Sequence, residues 1–305
     1  MALTNQLNII CPVCDDNNVT SLMPVTDLSL TGDLFEIVQC EKCSLNFTHP
    51  IPNKDNIAPY YNFPEYISHT DIKKGCMNAL YHKVRQRTLK QKTDWVQSLF
   101  TGYKGALLEV GAGTGAFADA MAKKKGWKVT ALEPDANSRE IALKNYGINL
   151  RPSVELENLP ENSFDVITLW HVLEHVHDLK VYIHTFKKLL KHNGRLIIAV
   201  PNHTSYDAQF YKNYWAAYDV PRHLYHFSPS SMKYLLKSNG FKLANLKPMW
   251  FDSYYVSLLS EKYKQTGLLG VVRAFLIGCI SNLLALNTNA KASSIIYEIK
   301  KIKED

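Results

Sequence analysis

The run Leu107-Leu-Glu-Val-Gly-Ala-Gly-Thr-Gly-Ala-Phe117 sets Gly111, Gly113 and Gly115 between a short apolar segment and a helix-forming one. Glycine at such a junction permits a tight strand-to-helix turn and lets a ligand approach the backbone closely. Around it the signals alternate: residues 106–110 read as a strand, 116–125 as a helix, 128–132 as a strand, 136–146 as a helix and 164–170 as a strand. A helix over 179–191, stopping at Asn193-Gly194, and a strand over 195–200 follow. Repeated alternation predicts an α/β domain, with a parallel sheet covered by helices on both faces and ligands bound beyond the carboxyl ends of its strands.

The glycine spacing restricts the ligand further. A dinucleotide site places its third glycine three residues after the second, with a pyrophosphate at the helix N-terminus, whereas this chain continues Thr114-Gly115. Glu109, at the end of the first strand, puts a carboxylate where pyrophosphate is repelled and a cationic amino acid group is welcome. Glu109 to Gly115 resembles the first motif of the class I S-adenosylmethionine-dependent methyltransferases, and Ala131-Leu-Glu-Pro-Asp135 resembles their second. The resemblance implies a Rossmann-like class I methyltransferase sheet and S-adenosyl-L-methionine as cofactor. It places Glu109, Gly111, Gly113, Gly115, Glu133 and Pro134 at that cofactor, with Glu133 on the ribose hydroxyls, since one carboxylate can accept two adjacent donors.

Leu159 to His177, which includes Trp170-His-Val-Leu-Glu-His-Val-His177, is similar to the fourth strand and following loop of that family, and especially to its ubiquinone-biosynthesis O-methyltransferase branch. By this resemblance Trp170 contacts the cofactor, His171 stands beside the sulfonium and the acceptor, and residues around Val154 and Glu155 border the adenine. Residues 219–228 are similar to a segment of a related methyltransferase family that would cover the acceptor pocket, where His223 could deprotonate an acceptor. The alternative for this segment is a structural aromatic lid in which Asp219 and Arg222 pair. His171 and His223 are the candidate catalytic residues.

Four of six cysteines fall as Cys11-x-x-Cys14 and Cys40-x-x-Cys43. Two such pairs let four thiolates converge on one ion, which predicts an N-terminal zinc ribbon with a structural Zn2+; iron is the alternative metal. So small a module has little core, and metal binding worth about 10 to 16 kcal/mol in zinc peptides would supply most of its stability. The expected organisation is a zinc ribbon at 1–50, a Pro- and Tyr-rich connector and leading helix at 51–102, and a catalytic domain at 103–305. A helical insertion at about 252–291 stands where the resembled family carries a hairpin. Its apolar stretch, 267–286, is read as an amphipathic helix rather than a transmembrane span. Gly270, Arg273, Ala274, Gly278, Ser281 and Asn282 share one face, and the apolar face covers a pocket or makes peripheral membrane contact.

The formal net charge is +7 over 305 residues, without a basic block. Lys42 is the only lysine or arginine between residues 1 and 53, which weighs against nucleic acid as a partner. The N-terminus lacks the basic and apolar regions of a secretory signal, so a cytoplasmic location is expected. The expected function is S-adenosylmethionine-dependent methyl transfer to a small-molecule or lipid-linked acceptor. The alternatives are an RNA methyltransferase and a catalytically inactive S-adenosylmethionine-binding adapter.

Overall fold

The structure, a computed structural model, describes residues 9–61, 76–100, 105–124 and 126–302. The first eight residues of the expected ribbon, the 62–66 end of the connector, and residues 103 and 104 at the expected start of the catalytic domain lie outside the described residues. The elements begin with β1 (Val19–Thr26), β2 (Leu34–Cys40), β3 (Asn46–His49), α1 (Cys76–Ser98), β4 (Gly105–Val110), α2 (Ala116–Ala122), β5 (Trp127–Leu132), α3 (Ala136–Tyr146) and β6 (Phe164–Trp170). They continue with α4 (Leu179–Leu189), β7 (Leu190–Pro201), α5 (Tyr206–Tyr211), β8 (Tyr225–His226), α6 (Pro229–Ser238), β9 (Phe241–Pro248), α7 (Asp252–Tyr263), α8 (Gly267–Asn287) and β10 (Ser294–Lys301).

The chain divides into two units, one of Phe63–Trp170 and Thr185–Ile197, the other of Met1–Asn62, His171–His184 and Ile198–Ile302. In the first, strands run in the order β5-β4-β6-β7, with β4 parallel to both β5 and β6. Six of the seven β6 residues, Phe164 to Leu169, are buried, as expected of a strand covered on both faces. α1 packs beside β5: Trp127 donates its indole N–H to Gln97 at 2.6 Å and meets Phe100 edge-on at 5.7 Å. α3 starts at Asp135, whose side chain accepts the Ser138 amide, and stops at Gly147 in the left-handed region.

In the second unit the end of β7 is followed in order by β10 and β9, the last two antiparallel. A separate antiparallel sheet runs β1-β2-β3-β8. Its fourth strand, Tyr225–His226, comes from the 214–227 segment and pairs with Phe47 and Asn46, so ribbon and aromatic segment are parts of one sheet.

Two local differences from the sequence reading have physical causes. The helix expected to run to residue 191 ends at Leu189, and Leu190 already begins β7. The carbonyls of Lys188 and Leu189 accept the amides of Asn162 and Ser163, and Leu190 folds over Gly194, where a Cβ would stand 2.7 Å from its side chain. Between β9 and β10 there are two helices, not one. α7 and α8 pack through small residues, with Gly278 so close to Tyr254 that a Cβ would lie 2.6 Å from the ring. This inward face carries Gly270, Ala274, Gly278 and Ser281, while Leu268, Val272, Phe275 and Leu283 are exposed. The apolar face expected to cover a pocket points outward.

Candidate functional site

In the first unit the parallel register sets Glu109 opposite Ala131 and Thr168, so β4, β5 and β6 end at one level. The chain turns at Gly111 and Gly113 and enters α2 at Gly115, with φ of 70°, 53° and 79°. These left-handed conformations are why a side-chain-bearing residue is strained here. At Gly113 a Cβ would meet nothing within 4 Å, so the backbone borders open space, whereas at Gly115 it would press on Ala142 at 3.0 Å. Gly113 serves approach and Gly115 serves packing.

Glu133, one residue beyond β5, is braced on this loop. One carboxylate oxygen accepts the Gly113 amide at 2.7 Å and the other the Asp135 amide at 3.0 Å. Pro134 contributes its carbonyl, which shares the Arg139 guanidinium with the carbonyl of Glu133. Burial raises the Glu133 carboxyl, and the two amides oppose that shift. Glu109 is buried, and its Oε2 has no hydrogen-bond partner in the structure; burial pushes its carboxyl up to about 8, against the pull of Lys92. Trp170 lies edge-on to Phe117 at 5.2 Å, with the Lys92 ammonium 4.3 Å from its ring, and its buried indole N–H is also unpartnered. Unpaired buried polar atoms cost free energy unless a ligand meets them. Glu109 calls for a cationic donor, and the braced Glu133 for neutral donors. An amino acid joined to a nucleoside has both. Val154, expected near an adenine, is exposed in a 3-10 turn over Ser153–Asn158.

The second unit gathers the histidines. His171, at φ 57°, holds its Nδ1 3.3 Å from Glu174 and its Nε2 3.2 Å from Asp252. Burial would lower its pKa, but these two carboxylates outweigh it and raise it to about 9. The imidazolium in turn holds Glu174 below the ordinary carboxyl range despite its complete burial. Both Glu174 oxygens lack a hydrogen-bond partner, the His171 contact being an ion pair without hydrogen-bond alignment.

His223 and His175 are arranged differently. The Nδ1 of His223 lies 2.8 Å from the Ala217 carbonyl, and that of His175 lies 2.9 Å from the Arg222 carbonyl. A carbonyl can only accept, so each Nδ1 carries a proton, and the Nε2 of His223 faces Asp219 at 3.9 Å. His175 is pushed down to about 4 by burial and by His223. Glu174, His175 and His223 bring one ligand atom each within 4.8 Å of one another, a set that could hold a divalent cation. His177 instead meets the Pro52 carbonyl at 3.0 Å. Glu174, His175 and Asp252 were not singled out as site residues from sequence; Glu174 and His175 carried a signal in the resembled loop, but Asp252 carried none.

Cys11, Cys14, Cys40 and Cys43 also bring their sulfurs within 4.8 Å of one another. Both turns have one design: the Asp15 amide donates to the Cys11 carbonyl and the Ser44 amide to the Cys40 carbonyl, with Asp15 and Ser44 both at φ 57°. Cys11 and Cys43 lie 3.5 Å apart, and Cys14 and Cys40 3.4 Å. Thiolates about 2.3 Å from a tetrahedral ion stand slightly farther apart than this, so a small expansion would admit one. A hydrogen bond from Cys43 holds the Cys11 thiol down to about 5.

Comparison with known proteins locates this arrangement. Residues 81–246, more than half of the chain, match a family described as a methyltransferase domain. The chain is 31% identical over 117 residues to the mitochondrial ubiquinone biosynthesis O-methyltransferase of Schizosaccharomyces pombe, an alignment covering 35% of this chain and 41% of that protein. It is 28% identical over 187 residues to the ubiquinone biosynthesis O-methyltransferase of Actinobacillus pleuropneumoniae, covering 56% of this chain and 79% of that one. The chain thus spans less than half the length of the first of these relatives. A solved structure from Galdieria sulphuraria, assigned as a sarcosine dimethylglycine methyltransferase, superposes with a TM-score of 0.51 at 14% identity, over 71% of this chain and 86% of that one. That likeness shows the Rossmann-like class I methyltransferase fold.

Proposed function

Because the chain belongs to this methyltransferase domain family, we propose that it is an S-adenosylmethionine-dependent methyltransferase acting on a small-molecule or lipid-linked acceptor. The observation that carries the reading is the combination of Glu133, braced on Gly113, with the buried Glu109, whose Oε2 has no hydrogen-bond partner. Glu109 would pair with the amino group of the bound donor, Glu133 with its ribose hydroxyls, and Gly111 and Gly113 would admit it to the backbone. Trp170 would bound the site with its ring. Bound S-adenosylmethionine supplies an electrophilic methyl group on a sulfonium. The protein's remaining tasks are to align the acceptor and exclude water, and positioning of this kind can contribute about 7 to 11 kcal/mol.

An acceptor that must lose a proton needs a base. His171 is held as an imidazolium by Glu174 and Asp252, which suits it to positioning and to stabilising negative charge rather than to proton abstraction. His223, with its Nδ1 proton committed to the Ala217 carbonyl, has its Nε2 3.9 Å from Asp219 and takes the role of base in this reading. That division of labour favours a hydroxyl acceptor, in keeping with the named chemistry of the ubiquinone biosynthesis relatives. The zinc ribbon of residues 1–50, with Zn2+ on Cys11, Cys14, Cys40 and Cys43, is structural: four thiolates close the coordination sphere. The connector at 51–102 and the catalytic domain at 103–305, in the cytoplasm, complete the proposal. Titration calorimetry with S-adenosylhomocysteine and with NAD tests it. Saturable binding of the first is expected, and binding of NAD alone overturns the reading.

A further inference from the structure

The outward face of α8 has no role in the methyl-transfer reading. Leu268, Leu269, Phe275 and Leu286 are 88%, 83%, 62% and 68% exposed, and Val272 and Leu283 complete the stripe between them. Leu268, Val272, Phe275, Leu283 and Leu286 follow one another at intervals of four, three, eight and three residues and so share one side of the helix, with Leu269 at its flank. At about 1.5 Å per residue the helix extends roughly 31 Å, so the stripe is a continuous apolar surface larger than scattered exposed residues make.

The opposite face is anchored to protein. Ser281 donates to the buried Asp207 at 2.7 Å, and Asn282 donates to the Trp250 carbonyl at 2.8 Å. Arg273 grips Glu261 with two bonds of 2.6 Å, and Glu261 is further bonded by Tyr211 and Thr266. A bilayer span would take these carboxylates into hydrocarbon, where charge is costly. α8 is long and apolar enough to cross a membrane, but its bonds hold it on the protein surface.

The charges around the stripe decide what covers it. Glu261 is the only acidic residue between 253 and 297, and it is buried and paired. Lys262 and Lys264 before α8 and Lys291 after it are exposed, as are Trp250, just before the insertion, and Tyr255 within it. A second copy of the chain would bring lysine-bearing ends together in either parallel or antiparallel pairing, whereas anionic headgroups complement both ends at once. Aromatic residues at the margin suit the headgroup level.

We propose that α8 is an in-plane membrane-docking helix, its outward stripe entering the acyl boundary of an anionic bilayer while Lys262, Lys264 and Lys291 meet the headgroups. The proposal stands independently of methyl transfer, because its test reads partition and not turnover. The full-length protein is sedimented with vesicles of phosphatidylcholine alone or mixed with phosphatidylglycerol. Wild-type protein is expected to pellet with the mixed vesicles and to be released by alkaline carbonate. Leu268→Glu/Leu286→Glu should lower the partition coefficient roughly tenfold or more, with thermal stability and S-adenosylhomocysteine affinity unchanged, since these side chains are 88% and 68% exposed. Lys262→Glu/Lys264→Glu/Lys291→Glu should remove the preference for phosphatidylglycerol. Absence of pelleting, equal pelleting of the stripe variant, or retention after carbonate overturns the proposal. So does a dimer in light scattering that becomes monomeric in the stripe variant, which assigns the face to a second copy.

Discussion

Arg222 and Asp27, 195 residues apart in the chain, form an ion pair of 2.8 Å with both side chains almost wholly buried. Arg222 also reaches Asp219 at 2.7 Å, together with Ser29 and the Tyr60 carbonyl. The local Asp219–Arg222 pair weighed from sequence is present, and a second carboxylate partner, Asp27, lies in the turn after β1. The guanidinium therefore ties the ribbon's sheet to the segment that carries His223.

Arg222→Met should destabilise the protein by about 3 to 5 kcal/mol, because it leaves Asp27 buried without its counterion. A pH dependence accompanies the pair. Burial raises the Asp27 carboxyl, but Arg222 outweighs it and brings it down to about 2, below an unfolded value of roughly 3.9. A depressed carboxyl contributes stability that is present above the unfolded pKa and lost as pH falls toward the folded one, here about 2 to 3 kcal/mol. Denaturant unfolding of wild type and Asp27→Asn between pH 5 and pH 2 (roughly that window) should show a steeper loss in wild type. Parallel curves would refute this role.

Glu133→Ala should weaken S-adenosylhomocysteine by about 1 to 3 kcal/mol, the worth of charge-assisted hydrogen bonds to the ribose. Titration calorimetry measures it. An unchanged dissociation constant removes Glu133 from the site.

Glu109 should make cofactor affinity depend on pH. Its free carboxyl titrates near 8, and pairing with an ammonium requires it ionised. Affinity for S-adenosylhomocysteine should therefore rise by about tenfold per pH unit from pH 6 and level off near 8. Glu109→Gln should lose both the slope and part of the affinity. A flat wild-type profile would argue that Glu109 has no ammonium partner.

One zinc per chain should accompany the purified protein. Cys40→Ser should lose the metal, and it should lower thermal stability through collapse of the turns held at Asp15 and Ser44. Atomic absorption together with thermal melts checks this; a Cys40→Ser protein with full zinc content contradicts it.

His223→Gln should reduce turnover by about 10² to 10⁴-fold, the range of a lost general base, with cofactor affinity preserved. His171→Gln should reduce turnover with cofactor affinity preserved. Pre-steady-state methyl transfer separates these effects from binding, and a His223→Gln enzyme of wild-type rate would exclude it as the base.

The elements most legible in sequence were those whose signal is local. β6 was read over the residues it occupies, because a strand buried on both faces is an unbroken apolar run. The glycine turn and the paired cysteines were legible because their chemistry requires particular residues at short spacing. Asp252 was not: it reaches His171 from the start of the helical insertion, eighty-one positions away, a contact with no local signal. β8 is only two residues long, too short for any periodic signal, and exists because β3 offers it an edge.

The sequence by itself determined the α/β alternation, the carboxylates and glycines of the proposed cofactor site, and the four thiols. Backbone conformation at glycine and side-chain charge at a strand end are properties of neighbouring residues. Only the tertiary structure decided that His171 stands between Glu174 and Asp252 while the Nδ1 of His223 meets the Ala217 carbonyl, because proton affinity follows from which carboxylates and carbonyls are brought within about 3 Å. It likewise decided which face of α8 is turned outward. Both faces are largely apolar, and the small side chains won the inner position because they alone let α7 approach closely enough to pack.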